Sequence, residues 1–212
     1  MKSQVINVFD ELAIIYNEMD GTNNLYNTQY ERPAMLQQIP SDLLNMRLLD
    51  AGCSTGWYSA QFLQRGAVVT SVDISSEMVK HAKSLLGDRA NVLNLDLEQA
   101  LPFTDESFDW IVSSLTLHYL KDWRRVFEEF HRVLKPGGSF LLSIHHPLTD
   151  LKLLDRVDYF ETELIVDAWK KEGKTFSVPF YRRSLSEVFN ALLTKFSIEQ
   201  VIEPKPTEHF KN

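Results

Sequence analysis

The chain has one cysteine, Cys53, among 212 residues, so an intrachain disulfide is excluded and a reducing compartment is expected. Its His and Cys positions lack the spacing of a zinc site, and no metal is expected. Cationic excess is missing as well. With 22 basic and 29 acidic side chains the net charge is −7, which repels a phosphate backbone, so nucleic acid is not an expected partner. No apolar run approaches the roughly 20 residues that cross a bilayer. The N-terminal stretch sets Asp10, Glu11, Glu18 and Asp20 among apolar residues, unlike a secretory leader. A cytoplasmic protein with no membrane partner is the expectation. Repeats, low-complexity tracts and linkers are also absent.

What is present fits one α/β domain over 1–212, since 44% apolar and 24% charged residues are ordinary for a globular core. Val5, Phe9, Leu12, Tyr16 and Met19 recur at helical spacing and predict an amphipathic N-terminal helix. Residues 23–32 read as loop. Short apolar runs then predict buried strands at Leu48-Leu49, Val68 to Val72, Val92 to Leu95, Trp110 to Leu115 and Phe140 to Ile144. Between them Trp57 to Arg65, Ser76 to Leu86 and Trp123 to Leu134 read as helices, so the sheet should be mainly parallel and doubly wound. Pro136-Gly137-Gly138 should stop the third helix and turn into the next strand. Ser184 and Glu187 form a capping box for a last helix to about Leu193, and Phe196 to Val201 reads as a final strand.

The chemistry lies in Asp50-Ala51-Gly52-Cys53-Ser54-Thr55-Gly56, a strand running through small residues into a helix, where a ligand can approach the backbone. Asp73 ends the next strand at the position where a carboxylate accepts hydrogen bonds from ribose hydroxyls. A dinucleotide fingerprint needs glycine where the chain has Ser54 and Trp57, so NAD is disfavoured. Asp50 adds negative charge at the turn, which suits a nucleoside carrying ammonium or sulfonium. S-adenosyl-L-methionine has that character.

From about residue 47 to 147 the chain resembles the class I S-adenosylmethionine-dependent methyltransferases of the small-molecule type. The run from Asp50 to Gly56 is similar to the family's first motif, Asp73 in Val72-Asp73-Ile74-Ser75 matches its ribose carboxylate, and Met78 follows at the usual spacing. Asp96-Leu97 resembles the pair that faces the adenine, and Leu101 to Asp109 and Arg132 to Gly138 complete the match. The resemblance implies a Rossmann-like sheet ordered 3-2-1-4-5-7-6 with strand 7 antiparallel. It implies a lid over the cofactor from residues 1–35, including Tyr30, and cofactor contacts from Asp50, Gly52, Cys53, Ser54, Asp73, Ile74, Met78, Asp96, Leu97, Ser113 and His118. Two departures stand out. Ser54 replaces the motif's middle glycine, and only six residues follow Pro206, leaving no apolar run for strand 7.

Each assignment has a plainer competitor: Asp73 as a helix cap, Asp50 as a turn residue, Met78 and Cys53 as core, His118 as a helix-start residue. His145 and His146, at the carboxyl end of the fifth strand, are the candidate catalytic bases for methyl transfer to a hydroxyl, amine or other nucleophile of a small molecule, with His146 expected nearer the substrate. Residues 148–183, with Tyr159, Phe160, Trp169, Phe176, Phe180 and Tyr181, read as a substrate cap. Two rival functions remain open. One is a cofactor-binding regulator without turnover; the other is an α/β hydrolase, because Gly52-Cys53-Ser54-Thr55-Gly56 also spells a nucleophile elbow with Ser54 as nucleophile.

Overall fold

The computed structural model describes residues 1–18, 24–153 and 158–210. Five strands, β1 (Arg47–Ala51), β2 (Val68–Asp73), β3 (Asn91–Asn94), β4 (Phe108–Ser114) and β5 (Leu134–Ser143), form one parallel sheet in the order β3-β2-β1-β4-β5. Between them run α3 (Trp57–Gln64), α4 (Ser76–Leu86) and α5 (Trp123–Val133). Alternation along β1 shows how both faces are covered. Leu48 packs with Phe62 and Tyr58 of α3, whereas its neighbour Leu49 packs with Phe127 and Phe130 of α5, and both leucines are fully buried. The α5 face is completed by Val188 and Leu192 of α7 (Leu185–Leu193), whose N-cap Ser184 accepts from Glu187 N, as the capping box predicts.

The N-terminal helix α1 (Lys2–Glu18) lays Leu12, Ala13 and Ile15 on Met78 of α4 and on Phe176 and Val178. Met19 of its predicted face lies outside the described residues, as does the side chain of Tyr16. Phe176 and Val178 belong to an antiparallel hairpin, β6 (Glu163–Lys171) and β7 (Lys174–Arg182), within the predicted cap. Its two-residue turn, Glu172-Gly173, has positive φ at both positions, 48° and 76°, as the twist of a tight hairpin demands.

Three expectations are corrected. The expected loop over 23–32 is not a loop in its described part, from residue 24: a π-helical turn, Asn27–Glu31, runs directly into α2 (Arg32–Gln37), whose Pro33 sits in the first turn where its missing N–H costs nothing. Pro136 to Gly138 is not a hinge between helix and strand. Here α5 ends at Val133, β5 starts at Leu134, and Gly137 (φ 76°) makes a bulge that shifts the register against β4 between Phe108 and Trp110. Finally, Phe196 to Val201 is not a strand. Phe196 is drawn onto Phe140 and Phe127, 5.3 Å and 6.0 Å between ring centroids, and among the described residues the sheet ends at β5. No described helix is long and apolar enough to cross a membrane, and no described cluster of His, Cys, Asp and Glu is arranged for a metal.

Phe127 is fully buried and joins Trp123, Phe140 and Phe196. Phe127→Ala should cost about 3–5 kcal/mol in urea-induced unfolding, because the facing rings cannot close the hole.

Candidate active site

The carboxyl ends of the strands open onto one cleft of about 2020 Å³. That exceeds the roughly 300–1,000 Å³ of a ligand pocket, because the cleft continues along the free edge of β5 from Gly138 to Ile144. At its centre is the turn after β1, with Gly52 (φ 87°), Ser54 (φ 51°) and Gly56 (φ 91°) in left-handed conformations. A Cβ on Gly52 would stand 2.1 Å from Thr116 Oγ1, so glycine is required there by space as well as by φ. Gly52 N and Cys53 N both donate to Val72 O, at 2.8 and 2.9 Å, tying the turn to β2.

Asp73, at the end of β2, accepts from Ser54 N at 2.8 Å through one oxygen and from Ser75 N at 2.9 Å through the other. Burial raises its pKa against the pull of these bonds, and it lines the cleft. A carboxylate has about four acceptor positions, so lone pairs remain for further donors. Ile74, Met78, Cys53 and Tyr30 line the same cleft, as do Asp96 and Leu97 beyond β3. Lys2 Nζ of α1 reaches Asp96 at 2.7 Å and Glu98 at 2.6 Å. Burial works against the Lys2 charge, but the two carboxylates win and raise its pKa.

Three residues expected at the cofactor face elsewhere. Asp50 shares the face of Leu48, so its carboxylate enters the space under α3 and accepts from Ser59 Oγ at 2.5 Å. At 1% exposure its pKa is pushed up to about 7 by burial. Ser113 is fully buried and donates to Ala51 O at 2.9 Å, joining β4 to β1. His118 is turned inward from a 3₁₀ turn, Leu117–Tyr119, and stacks on His145 with ring centroids 4.1 Å apart. Neither His118 nitrogen has a partner, and burial holds its pKa well below the ordinary value.

The two histidines after β5 have different surroundings. His146 caps the short helix α6 (Pro147–Asp150): its Nδ1 accepts from Leu148 N at 3.2 Å, and Nε2 meets Glu203 Oε1 at 2.8 Å. In the neutral ring the proton is therefore on Nε2 and the one lone pair is in use. Both rings line the cleft, but His145 Nδ1 is 3.6 Å from Asp150 Oδ1 and its Nε2 has no hydrogen-bond partner among the described residues. Burial lowers the His145 pKa and pushes that of Asp150 up to about 7.

Comparison with known proteins decides the family. A methyltransferase-domain family model matches residues 49–142. A solved S-adenosylmethionine-dependent methyltransferase from Mesorhizobium loti aligns with 84% of this chain and 86% of its own, at TM-score 0.67 and 29% identity. The chain is a class I S-adenosylmethionine-dependent methyltransferase. An uncharacterized protein of Haemophilus influenzae is 29% identical over 92% of this methyltransferase and 84% of its own length. A malonyl-[acyl-carrier protein] O-methyltransferase of Hamiltonella defensa is 38% identical over 54% of this chain and 46% of its own. The methyltransferase thus spans about half or less of the curated enzymes it matches at that level.

S-adenosylmethionine is the family's cofactor, and the cleft fits it. The backbone at Gly52 is bare, and carboxylates stand at Asp73 and Asp96. The hydrolase reading fails on geometry, because Ser54 Oγ donates to Met78 Sδ at 3.4 Å and has no histidine beside it. Sequence reading missed Glu31, Lys2 and Glu203, which enter the cleft through long-range contacts and sit in no local motif.

Ser54 holds the left-handed backbone that the family's middle glycine adopts freely. Ser54→Gly should raise stability by about 1 kcal/mol and leave S-adenosylhomocysteine affinity within about threefold, by thermal unfolding and calorimetry. A destabilised variant would give the Ser54 hydroxyl a structural role that its single weak bond to sulfur does not indicate.

Proposed function

We propose that this methyltransferase acts on a small molecule held between the end of β5 and the β6–β7 hairpin, and that His145 removes the proton from its nucleophilic hydroxyl or amine. The carrying observation is the cleft-facing His145 ring, whose Nε2 has no partner among the described residues. When bound, S-adenosylmethionine supplies an electrophilic methyl on a sulfonium. In this reading Asp73 takes the ribose hydroxyls, Asp96 and Leu97 face the adenine, and the backbone from Gly52 to Ser54 runs beside the methionine part. Tyr30 and α1 cover the nucleoside. Tyr119, Trp169 and Phe180, which line the same cleft, shield the acceptor from water and orient it toward the methyl.

His146 is left a structural role, because capping α6 uses the lone pair that a base needs. Burial lowers the His145 pKa, which keeps the ring unprotonated at neutral pH and able to accept a proton. A cytoplasmic setting fits the single Cys53, which is buried and whose pKa burial raises. One relative favours a second reading. The Hamiltonella defensa protein is named for O-methylation of a malonyl group on a carrier protein. A carboxylate acceptor is already ionised and needs no base.

A panel of acceptors incubated with isotopically labelled cofactor identifies the substrate through the labelled product. With that substrate, His145→Ala should lower kcat about 10²- to 10⁴-fold while cofactor affinity holds, and His146→Ala should act weakly. The wild-type rate should rise with pH through an inflection below 6.5, as His145 loses its proton, and then stay level. A His145→Ala rate equal to wild type would overturn the His145 assignment and leave methyl transfer to proximity and orientation alone.

A further inference from the structure

Glu31 is 9% exposed and closes the π-helical turn Asn27–Glu31. Three hydroxyls from three different elements converge on its carboxylate. Tyr58 OH donates to Oε2 at 2.7 Å, and Ser114 Oγ and Ser143 Oγ each donate to Oε1 at 2.7 Å. All four residues line the cleft. Burial and the Glu31 charge push the Tyr58 phenol well above its ordinary pKa, so it stays a donor.

Hydroxyls are neutral, so this arrangement leaves one negative charge in the cleft wall. No ion pair to Glu31 forms among the described residues; the Arg32 guanidinium, 3.9 Å over the Trp57 ring, acts on the neighbouring Tyr58 phenol through its charge. A carboxylate offers about four lone-pair positions, and three are filled, which leaves one on Oε2 beside Tyr58. Buried charge without a counter-ion is costly, and π-turns recur where function demands a particular side-chain position. What no described residue supplies is a cationic N–H bonded directly to the Glu31 carboxylate.

Its place along the sheet says which cation. Strand order sets Asp96 beyond β3, Asp73 on β2, the glycine turn on β1, Ser114 on β4 and Ser143 on β5. With the ribose on Asp73 and the adenine toward Asp96, the rest of the cofactor extends the other way, toward β4. Two strand spacings separate β2 from β4, about 10 Å, the reach of a methionyl chain. We infer that Glu31 binds the α-ammonium of the cofactor's methionine part, with Tyr58, Ser114 and Ser143 fixing the carboxylate for that contact. The inference rests on the cofactor orientation proposed above.

The test is calorimetric binding of S-adenosylhomocysteine, its desamino analogue and 5′-methylthioadenosine to wild type and Glu31→Gln, with thermal unfolding of both. On the wild type, the desamino analogue should bind about 10- to 100-fold more weakly than S-adenosylhomocysteine, as expected for a lost charge-assisted bond. Glu31→Gln should weaken S-adenosylhomocysteine by a similar factor and leave the other two ligands within about threefold. Equal losses for all three ligands would make Glu31 a structural tie between α2 and the sheet and overturn the inference. A desamino analogue that binds wild type as well as the parent would overturn it without any variant, even if Glu31→Gln does not fold. If wild type binds none of the three, the cofactor reading itself fails. Binding of 5′-methylthioadenosine with no gain from the amino-acid part would sink the Glu31 assignment alone.

Discussion

One carboxylate holds the two halves of the site together. Asp73 receives Ser54 N from the turn after β1 and Ser75 N from the cap of α4, so a single side chain sets the distance between the glycine turn and the next strand. Ser75 extends this tie, because its hydroxyl accepts from Met78 N while donating to Asp10 of α1 at 2.6 Å. The helix above the cleft is thus anchored to the residue proposed to read the ribose. Two backbone N–H donors help keep a buried acid ionised, against the desolvation that raises its pKa.

Parallel strands make such a site possible at all, because every strand ends on the same side and each end contributes a loop. Here the loops differ in chemistry along the sheet: acidic groups beyond β3 and β2, bare backbone after β1, hydroxyls at β4 and imidazoles at β5. The proposed cofactor orientation, adenine beyond β3, ribose at β2 and methionine part toward β4, follows that order. The interior is tuned separately. Asp50 and Ser113 carry polar groups within a few residues of the ligand site, yet they bond Ser59 and the Ala51 carbonyl and serve to seat β1 between α3 and β4.

How much of this was legible in the sequence follows from the range of the interactions. Helix α4 spans Ser76–Leu86, as its cap and apolar spacing indicate, and the five strands were visible because buried parallel strands read as uninterrupted apolar runs. Position within a motif did not tell which way a side chain faces. Asp50 lies one residue from the open turn, but pleating sends it inward with Leu48. His118 follows the same logic, lying next to cleft-lining Tyr119 while itself turned into the core. The helical stretch before β1 was hidden by its polar residues and Pro33, and the Glu31 cluster by its partners, which stand 27, 83 and 112 residues away. Phe196 to Val201 has strand-like composition, but aromatic packing on α5 and β5 outweighs that local preference.

A crystal structure of the protein with S-adenosylhomocysteine tests the central claim most directly. The account predicts both ribose hydroxyls on the Asp73 carboxylate, the adenine between Ile74 and Leu97 with its amino group toward Asp96, and the sulfur above the turn from Gly52 to Ser54. A nucleoside bound at the hairpin end of the cleft, with Asp73 bonded only to Ser54 N and Ser75 N, would contradict it.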